Sequence, residues 1–236
     1  GAIQSNHCRQ TAAAAAVAGL DCCLALGGQE PESKQGNLLL DCLFNAEIVW
    51  CGEDRKGERI PEICDRLRQA GKKHCIVPYG GSNIVGAVGF VAAIKELAQQ
   101  VKQGVPKFSH IVFASSSGGT HAGMMVGKQL LGLNITLVGI CIDKEEMEGQ
   151  PLADYILSLS RRTAKYLGFG HDFGSDDLTL FLDYVGSGYG VVGELEREAI
   201  TLTAAREGIL LDPVYTGRAM GGLIDLVRKG YFDTKD

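Results

Sequence analysis

Short apolar runs alternate with stretches of helical period along almost the whole chain. The runs at 22–26, 47–51, 74–77, 110–114, 135–142, 178–185 and 209–211 are rich in Val, Ile, Leu and Cys and have the length of buried strands. Between them the pattern predicts helices at 6–18, 37–45, 60–70, 82–101, 119–131, 152–167, 193–206 and 217–229. Local punctuation agrees: Ser5 is a preferred N-cap type, and Gly19 and Gly71 stand where helices should stop. Regular strand–helix alternation argues an α/β fold of parallel-type sheets flanked by helices. No repeat of solenoid length is visible. The polar stretch at 99–109 is the best internal break, which predicts a smaller α/β domain at 1–95 and a larger one at 96–236.

Composition narrows the possibilities without choosing among them. With 236 residues the chain can bury a core without disulfide or metal staples, and no metal site is expected. A net charge of −5 speaks against a nucleic-acid surface and against anionic membranes, since both need basic patches. The longest uninterrupted apolar run, 12–20, is too short to span a bilayer. None of the eight cysteines stands in CxxC spacing, so they read as buried free thiols of a cytoplasmic protein. Residue 1 is Gly and the first methionine is Met124, so the chain is expected to be truncated or processed; nothing at its start resembles a signal peptide.

In parallel α/β folds ligands gather at the carboxyl ends of strands, so the strand-to-helix turns carry the candidate chemistry. Ser115-Ser116-Ser117-Gly118-Gly119-Thr120 offers small residues, hydroxyls and a helix N-terminus, which is what a phosphate cradle requires. It is no Walker A loop, because no Gly-Lys-Ser/Thr follows. Gly188-Tyr189-Gly190-Val191-Val192-Gly193 matches the dinucleotide pattern GxGxxG, with Asp212 at about the right distance, but a lone match in a glycine-rich chain is weak. Ser5-Asn6-His7 reads either as plain helix capping or as a carboxylate receptor. In Asp212-Pro213-Val214-Tyr215-Thr216-Gly217, Tyr215 is either a packed phenol or a proton-transfer group on a rigid turn.

Taken in order, four segments resemble one family: residues 1–10 (GAIQSNHCRQ), 78–83 (PYGGSN), 117–123 (SGGTHAG) and 212–217 (DPVYTG). They are similar to the pyridoxal-phosphate enzymes of the D-cysteine desulfhydrase and 1-aminocyclopropane-1-carboxylate (ACC) deaminase family, over essentially the whole chain. The resemblance implies a fold type II architecture with the cofactor between two α/β domains. It implies that Ser117, Gly118, Gly119 and Thr120 hold the cofactor phosphate and that Asn6 meets the ring hydroxyl. Ser5, Asn6 and His7 would receive the carboxylate of a small amino-acid substrate, and Tyr189 and Tyr215 would flank the reacting carbon. Ser5, Tyr189 and Tyr215 are the catalytic candidates. A homodimer is also implied.

Thr216 separates activities within that family. Members that open the cyclopropane ring carry Glu after the equivalent tyrosine, and here the residue is Thr, as in the desulfhydrase branch. The expected reaction is therefore β-elimination from D-cysteine, with ACC deamination the alternative. A dinucleotide-dependent oxidoreductase and a non-catalytic cofactor-binding protein are the remaining readings. The family's Schiff-base lysine belongs to a segment upstream of Ser5, and Lys34, Lys56, Lys72 and Lys73 match no such motif. The expectation is that the 236 residues lack that lysine, and a further C-terminal strand and turn, and are inactive alone.

Overall fold

In the computed structural model, which describes residues 1–143 and 146–233, the chain divides into two units, Gly1–Gly81 and Ser82–Asp236. In the first, α1 (Asn6–Val17) opens on Ser5, whose Oγ accepts the Cys8 N–H at 3.2 Å. β1 (Cys23–Leu26) runs parallel to β2 (Glu47–Trp50), with Leu24 opposite Ile48 and Leu26 opposite Trp50. α2 (Gly36–Leu43) closes the core, in which Cys8, Ala12, Leu24, Leu26 and Leu38 are buried. Each such leucine stabilises the unit by about 1.5–3 kcal/mol. α3 (Ile60–Gln69) carries Pro61 in its first turn, where no helix hydrogen bond is lost. The strand expected at 74–77 does not form. Ile76 and Val77 remain 54% and 45% exposed, and the segment runs instead into a 3-10 turn at Tyr79–Gly81.

The second unit begins with α4 (Ile84–Lys102), β3 (His110–Ser115), α5 (Gly119–Leu130) and β4 (Thr136–Cys141). A small antiparallel hairpin, β5 (Glu146–Met147) and β6 (Gln150–Pro151), leads into α6 (Leu152–Tyr166). β7 (Thr179–Phe181), α7 (Glu194–Glu207) and α8 (Thr216–Arg228) complete it. The sheet is parallel in the order β3-β4-β7. β4 is central and buried on both faces. Leu137 and Cys141 join one core with Ile94, Met125, Ile156 and Leu159; Val138 and Ile140 join another with Tyr184, Ala219 and Leu226. This two-faced burial explains a strand that is apolar at successive positions.

The division at Gly81/Ser82 differs from the boundary expected at 95/96. Helix α4 packs along α5, and a Cβ at Gly123 would collide with the Ala87 carbonyl, so the two helices approach too closely to belong to different units. The polar stretch at 99–109 ends α4 and connects it to β3 inside one unit. Helix α4 is also long and apolar enough to cross a membrane by length and composition, although no uninterrupted apolar run in it has that length; its Ala87, Val91 and Ile94 are buried. Only Thr179–Phe181 of the run at 178–185 pairs as a strand. The run at 209–211 pairs with no described residue, and Leu210 is 85% exposed. Among the described residues no cysteine is in a disulfide; Cys8, Cys51, Cys64 and Cys141 are buried as expected, whereas Cys22, Cys23 and Cys42 are half-buried and Cys75 is exposed.

Candidate active site

Between the end of β3 at Ser115 and the start of α5 at Gly119, only Ser116, Ser117 and Gly118 make the turn. Gly118 has φ +82°, and a Cβ there would meet Tyr155 and Ile156 at 3.1 and 3.0 Å. A Cβ at Gly119 would lie 2.6 Å from Ser82 Oγ. Ser82 anchors the loop: its Oγ accepts the Gly119 N–H at 3.0 Å and donates to Ser117 Oγ at 2.7 Å, while Tyr155 Oη donates to its carbonyl at 2.8 Å. Ser116 donates to Asp143 at 2.6 Å. Among the described residues, no hydrogen bond takes up the N–H groups of Ser117, Gly118, Thr120 and His121. Unbonded N–H groups at the positive end of a 12-residue helix, on a loop where side chains do not fit, suit a phosphate group.

His121 fixes this end of the sheet. It is fully buried, its ring lies edge-on to Phe113 at 4.8 Å between centroids, and Ser115 Oγ stands 3.3 Å from Nδ1. A Cβ at Gly139 would come within 2.7 Å of the ring, which accounts for a glycine in the central strand. Burial pushes its pKa down to about 3, so the imidazole is neutral.

The turn at 212–217 is organised by one carboxylate. Asp212 accepts the N–H groups of Val214, Tyr215 and Thr216 at 2.9, 2.7 and 2.9 Å, and the Thr216 hydroxyl at 2.7 Å. Burial alone would raise its pKa, but these hydrogen bonds outweigh burial and hold the carboxyl below its usual range. Asp212 is thus committed to its own turn and unsuited to bind a ribose, which removes the acid that the dinucleotide reading needed. The phenols of Tyr189 and Tyr215 meet at 3.0 Å, their rings edge to face.

In the first unit, Asn37 Nδ2 donates to the Gln4 carbonyl at 2.9 Å and to Asn6 Oδ1 at 2.8 Å. With the Asn6 oxygen fixed on that donor, its NH₂ is the part left to offer outward. Ser5 is buried and its oxygen serves as the helix cap, yet its own proton is still available for donation. The His7 ring packs against Gly81 in the 3-10 turn, and burial lowers its pKa. Lys34 and Lys72 pair with the exposed carboxylates of Glu30 and Asp21. The sequence points to Ser5, Asn6, His7, the phosphate loop and both tyrosines; Asn37 carries no signal in it, and Ser82 stands out only as part of the motif at 78–83, with no role attached. Each acts on a residue more than 30 positions away, and no local pattern marks such a pairing.

Comparison with known proteins places this arrangement. The family described as "Pyridoxal-phosphate dependent enzyme" matches residues 1–236. The chain is 43% identical over 231 residues to a D-cysteine desulfhydrase of Yersinia enterocolitica, a match covering 95% of this chain and 68% of that protein. It is 40% identical to the D-cysteine desulfhydrase of Klebsiella pneumoniae, covering 98% of this chain and 70% of the relative. Among solved structures, one described as an ACC deaminase homologue superposes with a TM-score of 0.87 at 35% identity, covering 99% of this chain and 69% of that one. A serine racemase from Dictyostelium discoideum shares the fold at a TM-score of 0.57 and 18% identity. The phosphate-type loop, the ordered motifs and a family match across the full chain lead to one conclusion: this chain belongs to the pyridoxal-phosphate dependent enzymes, with the fold type II architecture.

Proposed function

We propose that the protein is a lyase that converts D-cysteine and water to pyruvate, hydrogen sulfide and ammonia. The observation that carries this reading is Thr216, directly after Tyr215, with its hydroxyl held by Asp212. A carboxylate at that position would keep a facing ring nitrogen protonated and strengthen electron withdrawal, as ring opening demands; a hydroxyl suffices for a good sulfur leaving group. Similarity to D-cysteine desulfhydrases over nearly the full chain supports the same choice.

The loop Ser117, Gly118, Gly119 and Thr120 holds the cofactor phosphate, with the N–H groups of Ser117, Gly118 and Thr120 as donors while that of Gly119 is bound to Ser82, and Thr216 meets the ring nitrogen. Asn6, oriented by Asn37, donates to the ring hydroxyl oxygen. When bound, pyridoxal phosphate supplies an electron sink for the charge left on the substrate's α-carbon. Ser5, Asn6 and His7 receive the substrate carboxylate at the start of α1, where the helix dipole favours an anion. The phenols of Tyr189 and Tyr215 are hydrogen-bonded to each other, so one can orient substrate while the other moves a proton at the sulfur-bearing end. The same reading makes the protein a cytoplasmic homodimer that acts on a small amino acid, without nucleic acid or membrane.

The second reading, ACC deamination, draws on the ACC deaminase homologue among the solved structures. The test is sulfide and pyruvate release from D-cysteine by the holoenzyme. Stoichiometric production of both, reduced about 10²-fold in Tyr215→Phe, is expected. No sulfide release would overturn the proposal.

A further inference from the structure

The glycine-rich segment that resembles a dinucleotide fingerprint wraps a guanidinium group. Arg218, in the first turn of α8, is 1% exposed. Its Nε donates to Glu196 Oε1. Nη1 donates to the carbonyls of Ile142 and, at 2.6 Å, Val185; Nη2 donates to Gly188 and Val191 at 3.3 and 3.0 Å. All five donors of the fork are therefore used. Glu196 in turn accepts the Gly193 N–H at 2.8 Å. The loop is fixed at Val185, Gly188, Val191 and Gly193, and Tyr189 stands between the fixed points. Two of its internal backbone bonds, Gly188 to Val185 and Val191 to Gly188, are long at 3.4 Å. Gly188, at φ +117°, supplies the bend that turns successive carbonyls toward one centre.

The same arginine lies three residues after Tyr215, so one helix turn carries both the anchor of the Tyr189 loop and the partner of the Tyr189 hydroxyl. We infer that Arg218 is a positioning residue that sets the distance between the Tyr189 and Tyr215 hydroxyls, with Glu196 completing the clamp. A buried ion pair adds little net stability against an apolar pair of the same volume, and its value here is geometric. A guanidinium can hold four carbonyls and a carboxylate in one plane, and an ammonium with three donors holds fewer. The consequence for turnover rests on the reading of both tyrosines given above; the consequence for their geometry does not.

The test places 3-fluorotyrosine at position 189 of the holoenzyme and reads its fluorine resonance by NMR. In the parent protein, Tyr215→Phe should shift the resonance, because the hydroxyl pair is lost. In Arg218→Met/Glu196→Leu, which removes both charges together, Tyr215→Phe should no longer move it. Turnover in that variant should fall ~10²-fold, the scale of a lost acid–base group, and adding Tyr189→Phe should cost less than threefold more. Arg218→Lys should recover at least tenfold of the loss and part of the fluorine response. Where the apolar pair does not fold, Arg218→Gln/Glu196→Gln serves with the same expectations. An undiminished response to Tyr215→Phe in the clamp variants, or fully additive losses with Tyr189→Phe, would overturn the inference. A response that vanishes with the clamp while Tyr189→Phe leaves turnover intact would uphold the positioning role and refute the catalytic assignment of Tyr189.

Discussion

Thr216 donates its hydroxyl proton to the Asp212 carboxylate at 2.7 Å while accepting the Asp212 N–H at 2.9 Å. Because an ionised carboxylate can only accept, the proton must lie between them, and the Thr216 oxygen has one lone pair left. In this arrangement Thr216 can accept a hydrogen bond from a protonated ring nitrogen, and to donate to an unprotonated one its hydroxyl must turn away from Asp212. Thr216→Val should weaken pyridoxal phosphate binding roughly 10-fold, the effect of one hydrogen bond to a charged group, and Thr216→Ser should restore it. Equilibrium dialysis checks this. Equal affinity in the Val variant would remove Thr216 from the cofactor site.

The same carboxylate holds four hydrogen bonds in a turn of five residues. Asp212→Ala should destabilise the protein by about 2–4 kcal/mol, since several backbone donors lose a charged acceptor at once. Urea unfolding measures it; a loss below 1 kcal/mol would mean that the turn is held by packing alone.

The phosphate loop yields a paired comparison. Gly118 and Gly132 both have positive φ, but a Cβ at Gly118 meets Tyr155 and Ile156 whereas one at Gly132 meets nothing within 4 Å. Both alanine variants carry backbone strain of about 1 kcal/mol. Only Gly118→Ala should also displace the loop, lowering cofactor affinity at least ~10-fold. Equal affinities in the two variants would place the phosphate elsewhere.

Much of this could be read from the sequence where a signal is local. The Ser5 cap, the β3–turn–α5 unit and the tight turn at Tyr215 each declare themselves within ten residues. The failures share a cause in tertiary context. Residues 74–77 and 209–211 have strand-like composition but pair with no strand among the described residues, and Val77 and Leu210 stay exposed. Arg218 and Glu196 look like ordinary helix-surface charges in sequence, and only folding reveals that they are buried against each other. Asn37 lies in a segment that the pattern identifies as helix and nothing more, and its grip on Asn6 depends on how α1 and α2 pack.

Asp41 gives a pH dependence with a defined sign. It is 1% exposed, neither carboxylate oxygen has a hydrogen-bond partner among the described residues, and burial pushes its pKa up to about 6 despite nearby Arg9. A raised folded-state value means that its contribution is fully present below the unfolded value, near 4, and is lost as pH rises through about 6. Asp41→Asn should therefore gain on the order of 2 kcal/mol over the parent between pH 4 and pH 8. Denaturant unfolding at both pH values decides it. A stability difference independent of pH would show that Asp41 does not titrate in that window.

The central claim, elimination rather than ring opening, is tested most directly by giving one preparation of holoenzyme both substrates. Hydrogen sulfide from D-cysteine and α-ketobutyrate from ACC are measured side by side as kcat/KM. The absence of a carboxylate after Tyr215 predicts that D-cysteine is the better substrate by at least ~10²-fold. An ACC rate equal to or above that for D-cysteine would contradict it, and would mean that an acid other than residue 216 serves the ring nitrogen.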